Sequence, residues 1–182
     1  MISREEAYEL VTRHLTNRNL VKHVLAVESI MRLLAERFGG DVEAWGLAGL
    51  LHDIDYEETK DAPERHGYRS LEILEETDLP DEVRRAILAH VGHTERLSDI
   101  DRAIYCSDPV TGLIVASALM HPTKRLDGMD AEFVGKRFKE KRFAAGANRE
   151  AIASCRELGL ELQEFLELSL DAMRSISAEL GL

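Results

Sequence analysis

Leu20, Val24, Val27, Met31 and Leu34 fall at alternating spacings of four and three residues. Side chains so spaced lie along one face of an α-helix, whereas the two-residue period of a strand would scatter them over both faces. The same periodicity recurs through nearly the whole chain, and no segment alternates as a half-buried strand does. Ser3-Arg4-Glu5-Glu6 fits a capping box that opens a first helix running to about His14. Asn17 to Asn19 separate it from the long second helix, and Gly39-Gly40 supplies a C-terminal cap for that helix. A third helix is expected over about residues 42–54, where Gly46, Ala48 and Gly49 leave room for a neighbour to pack close.

A polar loop follows, then a helix over about residues 64–76 that begins at His66-Gly67. Pro80 suits the first turn of the next helix, which runs to His90. An apolar helix over about residues 100–119 contains Pro109, which should kink or restart it. Helices near residues 130–143, 149–158 and 161–180 complete the chain, with Gly181 closing the last. The expected fold is all-α, a single-domain helical bundle of eight or nine helices.

The 182 residues suffice to bury a core without disulfide staples. Cys106 and Cys155 are too few for a disulfide framework, which fits a reducing compartment. The amino terminus lacks a basic region followed by an apolar segment, so a secretory signal is not expected. No uninterrupted apolar run reaches membrane-spanning length. Cytoplasmic residence is therefore the expectation, with no membrane partner. A net charge of −11 argues against general nucleic-acid binding. That charge is uneven: residues 136–149 hold six cations and one anion, so the rest of the chain carries −16.

His23, His52, Asp53, His66, His90 and Asp108 sit on or beside apolar faces, and each member outside the adjacent pair falls on a different expected helix. Helical bundles build metal sites this way, from side chains projecting inward on facing helices. Two acids placed among apolar residues need a cation or hydrogen-bond partners. Mixed imidazole and carboxylate ligands suit manganese, iron, cobalt, nickel or zinc, as one or two ions. His93 shares the face of His90 and is an alternative to it, while His14 and His121 look ordinary.

The pattern His23, His52-Asp53, Asp108 resembles the HD-domain superfamily of metal-dependent phosphohydrolases over about residues 20–119. The tail, about residues 130–182 with its basic stretch 136–149, resembles that of small HDIG-type proteins of bacteria and archaea. The motif here reads His-Asp-Ile-Asp, so Asp55 stands where that subgroup has glycine. The resemblance implies that Asp53 bridges two ions, that His23, His52 and Asp108 complete the first set of ligands, and that His66 and His90 serve the second. It places His52 and Asp53 at the catalytic centre. It implies hydrolysis of a small phosphate ester or anhydride, such as a nucleotide, with a metal-activated hydroxide as nucleophile.

Charge favours two ions over one. One divalent ion with His23, His52, Asp53 and Asp108 sums to zero, whereas two ions with all six residues sum to +2, which attracts phosphate. Lys139, Lys141 and Arg149 of the basic segment are expected to grip the substrate phosphate, although charge runs also serve as solvated faces. Glu28, Asp55 and Glu57 lie near the motifs as candidate proton carriers, with nothing to choose among them. Two rival readings keep the same ligands: an HD-fold di-iron oxygenase, and a non-catalytic regulatory protein that binds a metal and a nucleotide.

Overall fold

The computed structural model describes residues 1–182, and every regular element in it is helical. In chain order these are α1 (Arg4–His14), α2 (Arg18–Phe38), α3 (Val42–Leu51), α4 (Tyr56–Thr59), α5 (Tyr68–Ile73) and α6 (Asp81–His90). They continue as α7 (Asp99–Met120), α8 (Ala131–Lys139), α9 (Arg149–Ala153), α10 (Leu162–Ser175) and α11 (Ser177–Leu180). Short 3-10 turns cover Pro63–Arg65, Leu126–Gly128 and Ser154–Leu158. The all-α expectation holds. The segment count exceeds eight or nine because α4 is a single turn and the last long helix breaks at Ile176 into α10 and α11.

Local chemistry sets the boundaries. Ser3 and Glu6 form the reciprocal capping box at the start of α1. The Asn17 side chain caps α2, which ends at Gly39 in the left-handed region, φ 71°. Asp41 accepts from the N–H groups of Glu43 and Ala44 at the start of α3.

The centre of the bundle is α2 packed against α3, with α7 lying mainly along α2 and α6 packed against both α7 and α3. Close approach of α2 and α3 depends on Gly49. A Cβ there would lie 2.8 Å from the Glu28 backbone N and Cα, too near for any side chain. The core runs without interruption from Val24, Ile30 and Leu34 through Leu47, Leu50 and Ile54 to Ile87, Ile104 and Leu113, and on to Phe165 and Leu170.

By length and composition α7 is long and apolar enough to cross a membrane. Here its apolar residues Ile100, Ile104, Val110, Leu113 and Ile114 are buried in the core. It runs on through Pro109 as one helix, so the restart, one of the two expected effects, does not occur. Proline removes one backbone donor, and burial along both flanks of α7 holds the helix on either side of that gap.

Two boundaries differ near the future site. The third helix stops at Leu51, so His52 is its cap and Asp53 lies just beyond it. No helix starts at residue 64. Instead Pro63–Arg65 forms a 3-10 turn, His66 is non-helical (ψ 136°), and α5 begins only after Gly67, φ 82°. A left-handed residue interrupts an α-helix and lets the chain turn the His66 side chain inward.

Candidate metal centre

Five chain segments deliver the six residues to one place. His23 comes from α2, His52 and Asp53 from the end of α3, His66 from the turn before α5, His90 from the last position of α6, and Asp108 from mid-α7. Asp53 is central. Its Oδ1 lies 3.5 Å from His52 Nε2, 3.2 Å from His66 Nε2 and 3.4 Å from His90 Nε2. Its Oδ2 lies 3.5 Å from His23 Nε2. Asp108 Oδ1 closes the other side, 3.2 Å from His23 Nε2 and 3.9 Å from His52 Nε2. Atoms of His23, His52 and Asp108 form one compact ligand group, and those of His52, Asp53 and His90 another.

The remaining ring nitrogens explain why four Nε2 atoms point inward. His52 Nδ1 donates to the Gly49 carbonyl at 2.8 Å, and His90 Nδ1 donates to the Ile87 carbonyl. The Thr111 hydroxyl donates to the Asp108 carbonyl, leaving its oxygen to accept from His23 Nδ1 at 2.9 Å. His66 Nδ1 donates to Asp55 Oδ1 at 2.8 Å. With Nδ1 so engaged, each imidazole turns Nε2 toward the cluster as the atom that would ligate, the arrangement usual for metal-binding histidines. His90 Nε2 is buried and lacks any hydrogen-bond partner, as fits a nitrogen that would ligate a cation.

The electrostatics agree. Burial opposes charge on His23, but the carboxylates of Asp108 and Asp53 outweigh it and raise the ring to about 10. His66 is likewise raised to about 10 against burial, by Asp53 and Asp55. Burial pushes His52 down to about 4. Burial works against ionising Asp53, yet the surrounding imidazoles hold it well below the ordinary carboxylate range. The cluster thus holds the Asp53 and Asp108 carboxylates below their ordinary range beside the rings of His23 and His66. Four lone-pair nitrogens and two carboxylates in a mostly buried pocket fit one or two divalent ions.

Asp55 has a definite role. Fully buried, it accepts from His66 Nδ1, from Gly67 N at 2.9 Å and from Ser70 N at 3.1 Å. It orients His66 and satisfies the first free N–H groups of α5. The other two candidate proton carriers are spoken for. Glu28 pairs with Arg4 and Arg32, and Glu57 accepts from Thr16 and Asn17 on the surface. His93 stands behind the site, donating from Nε2 to the His66 carbonyl at 2.9 Å.

The expected anion grip from the basic segment is not assembled around the cluster. Arg149 is turned the other way, and its guanidinium donates to the carbonyls of Phe138, Phe143, Ala144 and Ala147. It folds residues 138–147 into a loop, so the expected phosphate contact gives way to a structural one. The planar fork of arginine, with five donors, matches that ring of carbonyls. Lys136 pairs with Glu132 and Arg137 with Glu140. Lys139 and Lys141 are exposed and unpaired, and no hydrogen bond or ion pair ties them to the histidines.

A cleft of about 450 Å³ opens beside His23 between α2 and α7. Sequence reasoning did not foresee it, since its walls come from residues far apart in the chain. A separate cleft of about 340 Å³ between α2 and α10 is lined by Glu28, Glu36, Asp171 and Glu179 and holds none of the six residues.

A helical bundle with a central aspartate, four inward-facing imidazoles and a second aspartate defines a His/Asp metal-binding domain. The model of the family described as HD domain matches residues 20–125, and the chain belongs to that family. The ribonuclease Y of Aliarcobacter butzleri is 37% identical over 94 residues, covering 52% of this chain and 18% of that protein. The ribonuclease Y of Sulfurovum sp. strain NBC37-1 is 30% identical over 136 residues, covering 73% of this chain and 27% of that protein. The chain thus spans roughly a fifth to a quarter of the length of these curated relatives. No solved structure matches.

Proposed function

We propose that this chain is a metal-dependent phosphohydrolase acting on a small phosphate ester or anhydride, a nucleotide in particular. The observation that carries the reading is the convergence of four Nε2 atoms on the two oxygens of Asp53, with Asp108 closing one side. His23, His52, Asp53 and Asp108 would hold one ion, and His66 and His90 would join Asp53 around a second. When bound, such ions polarise a phosphoryl oxygen and lower the pKa of coordinated water to near neutrality.

The protein's own residues supply the frame. Asp53 spans both halves of the site and fixes their separation, while Asp55, Thr111 and the Gly49 and Ile87 carbonyls hold the imidazoles at fixed angles. The apolar surroundings, with His52 fully buried, exclude bulk water and strengthen each electrostatic contact. Exposed Lys139 and Lys141 are retained as candidates for steering an anionic substrate across a surface that is otherwise negative.

A second reading has one observation in its favour. The relatives above are named ribonuclease Y, so a phosphodiester in RNA is an alternative substrate. The net charge of −11 speaks for the small anion over the polyanion. The experiment is metal analysis of the purified chain, followed by two assays run in parallel with manganese, cobalt and nickel. One measures phosphate release from a nucleotide panel, the other cleavage of labelled single-stranded RNA. Asp53→Ala should lose both metal and turnover. A variant that stays metal-loaded and active would remove the basis of the assignment.

A further inference from the structure

Of the four tyrosines in the chain, Tyr56 is the one whose ring meets an imidazole of the metal set. It packs against His66 in a T-shaped pair, with ring centroids 5.7 Å apart and planes at 79°. Tyr68 stacks instead on His93, and Tyr8 and Tyr105 lie under Arg4 and Arg96. The backbone places Tyr56 independently of that ring contact. Its N–H donates to the Asp53 carbonyl at 2.9 Å, closing a three-residue step of 3-10 type just after α3. In such a turn the first and fourth side chains lie over one another. Tyr56 therefore stands on the same side of the chain as the Asp53 carboxylate, the point on which the four Nε2 atoms converge.

The neighbours of the His66 ring divide into buried and open ones. Nδ1 donates to buried Asp55, Nε2 faces Asp53, and the buried ring of His90 packs on it at 5.1 Å. Tyr56, 41% exposed, covers its solvent side, and the Tyr56 hydroxyl makes no hydrogen bond within the chain. A phenylalanine ring would pack on His66 equally well, so packing accounts for the ring and leaves the hydroxyl without a task. The acids near the motifs are all engaged elsewhere: Glu28 by Arg4 and Arg32, Asp55 by His66 and the start of α5, and Glu57 by Thr16 and Asn17. A phenol is both donor and acceptor, and this one has the position of a donor to a molecule bound beside the second ligand set.

We infer that Tyr56 is a catalytic residue whose hydroxyl donates a hydrogen bond to the leaving-group oxygen of the phosphate ester. The inference rests on the phosphohydrolase reading for the reaction and adds a residue to it. Hydroxide adds to phosphorus as the bond from phosphorus to the leaving oxygen breaks, and the electron pair of that bond stays on the leaving oxygen. Tyr56 stabilises the growing charge there and keeps its own proton, and water protonates the alcohol after it departs. A donor so aimed matters most where the leaving oxygen is strongly basic and little where the leaving group carries its charge unaided.

The test uses the full chain loaded with manganese and two esters: adenosine 5′-monophosphate, which releases a basic alkyl alcohol, and p-nitrophenyl phosphate, which releases a weakly basic phenolate. Tyr56→Phe keeps the ring and removes the hydroxyl, and melting curves and metal content should match wild type. Its kcat should fall about tenfold or more on the nucleotide and less than about threefold on the nitrophenyl ester, with KM little changed. Inorganic phosphate, whose fourth oxygen takes the leaving-group position, should bind the variant roughly threefold or more weakly by calorimetry. Tyr68→Phe, at the other exposed tyrosine, should leave all three quantities unchanged. Equal losses on the two esters, no loss on either, or unaltered phosphate affinity overturns the inference and leaves the hydrolase reading standing. A wild-type protein that hydrolyses neither ester removes that reading, and the inference with it.

Discussion

Asp55→Ala isolates the orienting layer of the metal centre from its ligands. The carboxylate accepts three hydrogen bonds within 3.1 Å, from His66 Nδ1, Gly67 N and Ser70 N, and its residue is fully buried. Each bond to a charged acceptor is worth about 1.5–3 kcal/mol net, and each buried donor left without a partner costs about 1–3 kcal/mol. Removing a buried carboxylate returns part of this by relieving its own desolvation. A net loss of about 2–4 kcal/mol is expected, read by urea denaturation monitored at 222 nm.

The loss should depend on pH with a definite sign. The Asp55 carboxyl lies below its ordinary value in the folded protein: burial raises it, but the bonds from His66, Ser70 and Gly67 outweigh that. Its contribution is therefore present above the unfolded-state value and vanishes as pH falls through the folded one. Wild type and variant should converge in stability in acid. The same substitution frees the ring of His66, so affinity for a second metal equivalent should drop 10–100-fold while the first is held. An Asp55→Ala protein as stable as wild type at neutral pH, with two metal equivalents bound at unchanged affinity, would refute the reasoning.

Metal binding should release protons, because His23 and His66 are both raised to about 10 without a metal and must lose their protons to act as ligands. Calorimetry at pH 7.5 in buffers of different ionisation enthalpy should show about two protons released at full loading, and affinity rising with pH up to about 10; no proton release would count against these ligands. Gly49→Ala should destabilise by about 2 kcal/mol or more in thermal melts, since the added methyl has only the α2 backbone to push against. Arg149→Ala should cost roughly 1–3 kcal/mol and raise proteolytic cleavage within residues 138–147. Metal content should be unchanged, and a variant that instead raises the Michaelis constant without losing stability would restore Arg149 to phosphate binding.

Apolar periodicity alone determined the class of fold here. The stripe from Leu20 to Leu34, the capping box at Ser3 and the cap at Gly39 are local features, and local hydrogen bonding enforces them whatever the rest of the chain does. His23, His52, Asp53, His66, His90 and Asp108 were legible as a set because polar, metal-ligating side chains on apolar faces need a common partner. Their spacing carried no information on angles or distances.

Tertiary packing decided the remainder. Asp55 looked like a departure from a motif, and only the fold brings Gly67 and Ser70 to its oxygens, 12 and 15 residues away. Arg149 looked like an anion grip, but the loop it folds encloses its guanidinium with carbonyls before any phosphate arrives. The cleft beside His23 joins residue 19 to residue 182. A one-dimensional pattern records which face of each helix is apolar. Where two faces meet, and what space they leave between them, depends on side-chain shapes at contacts many residues apart.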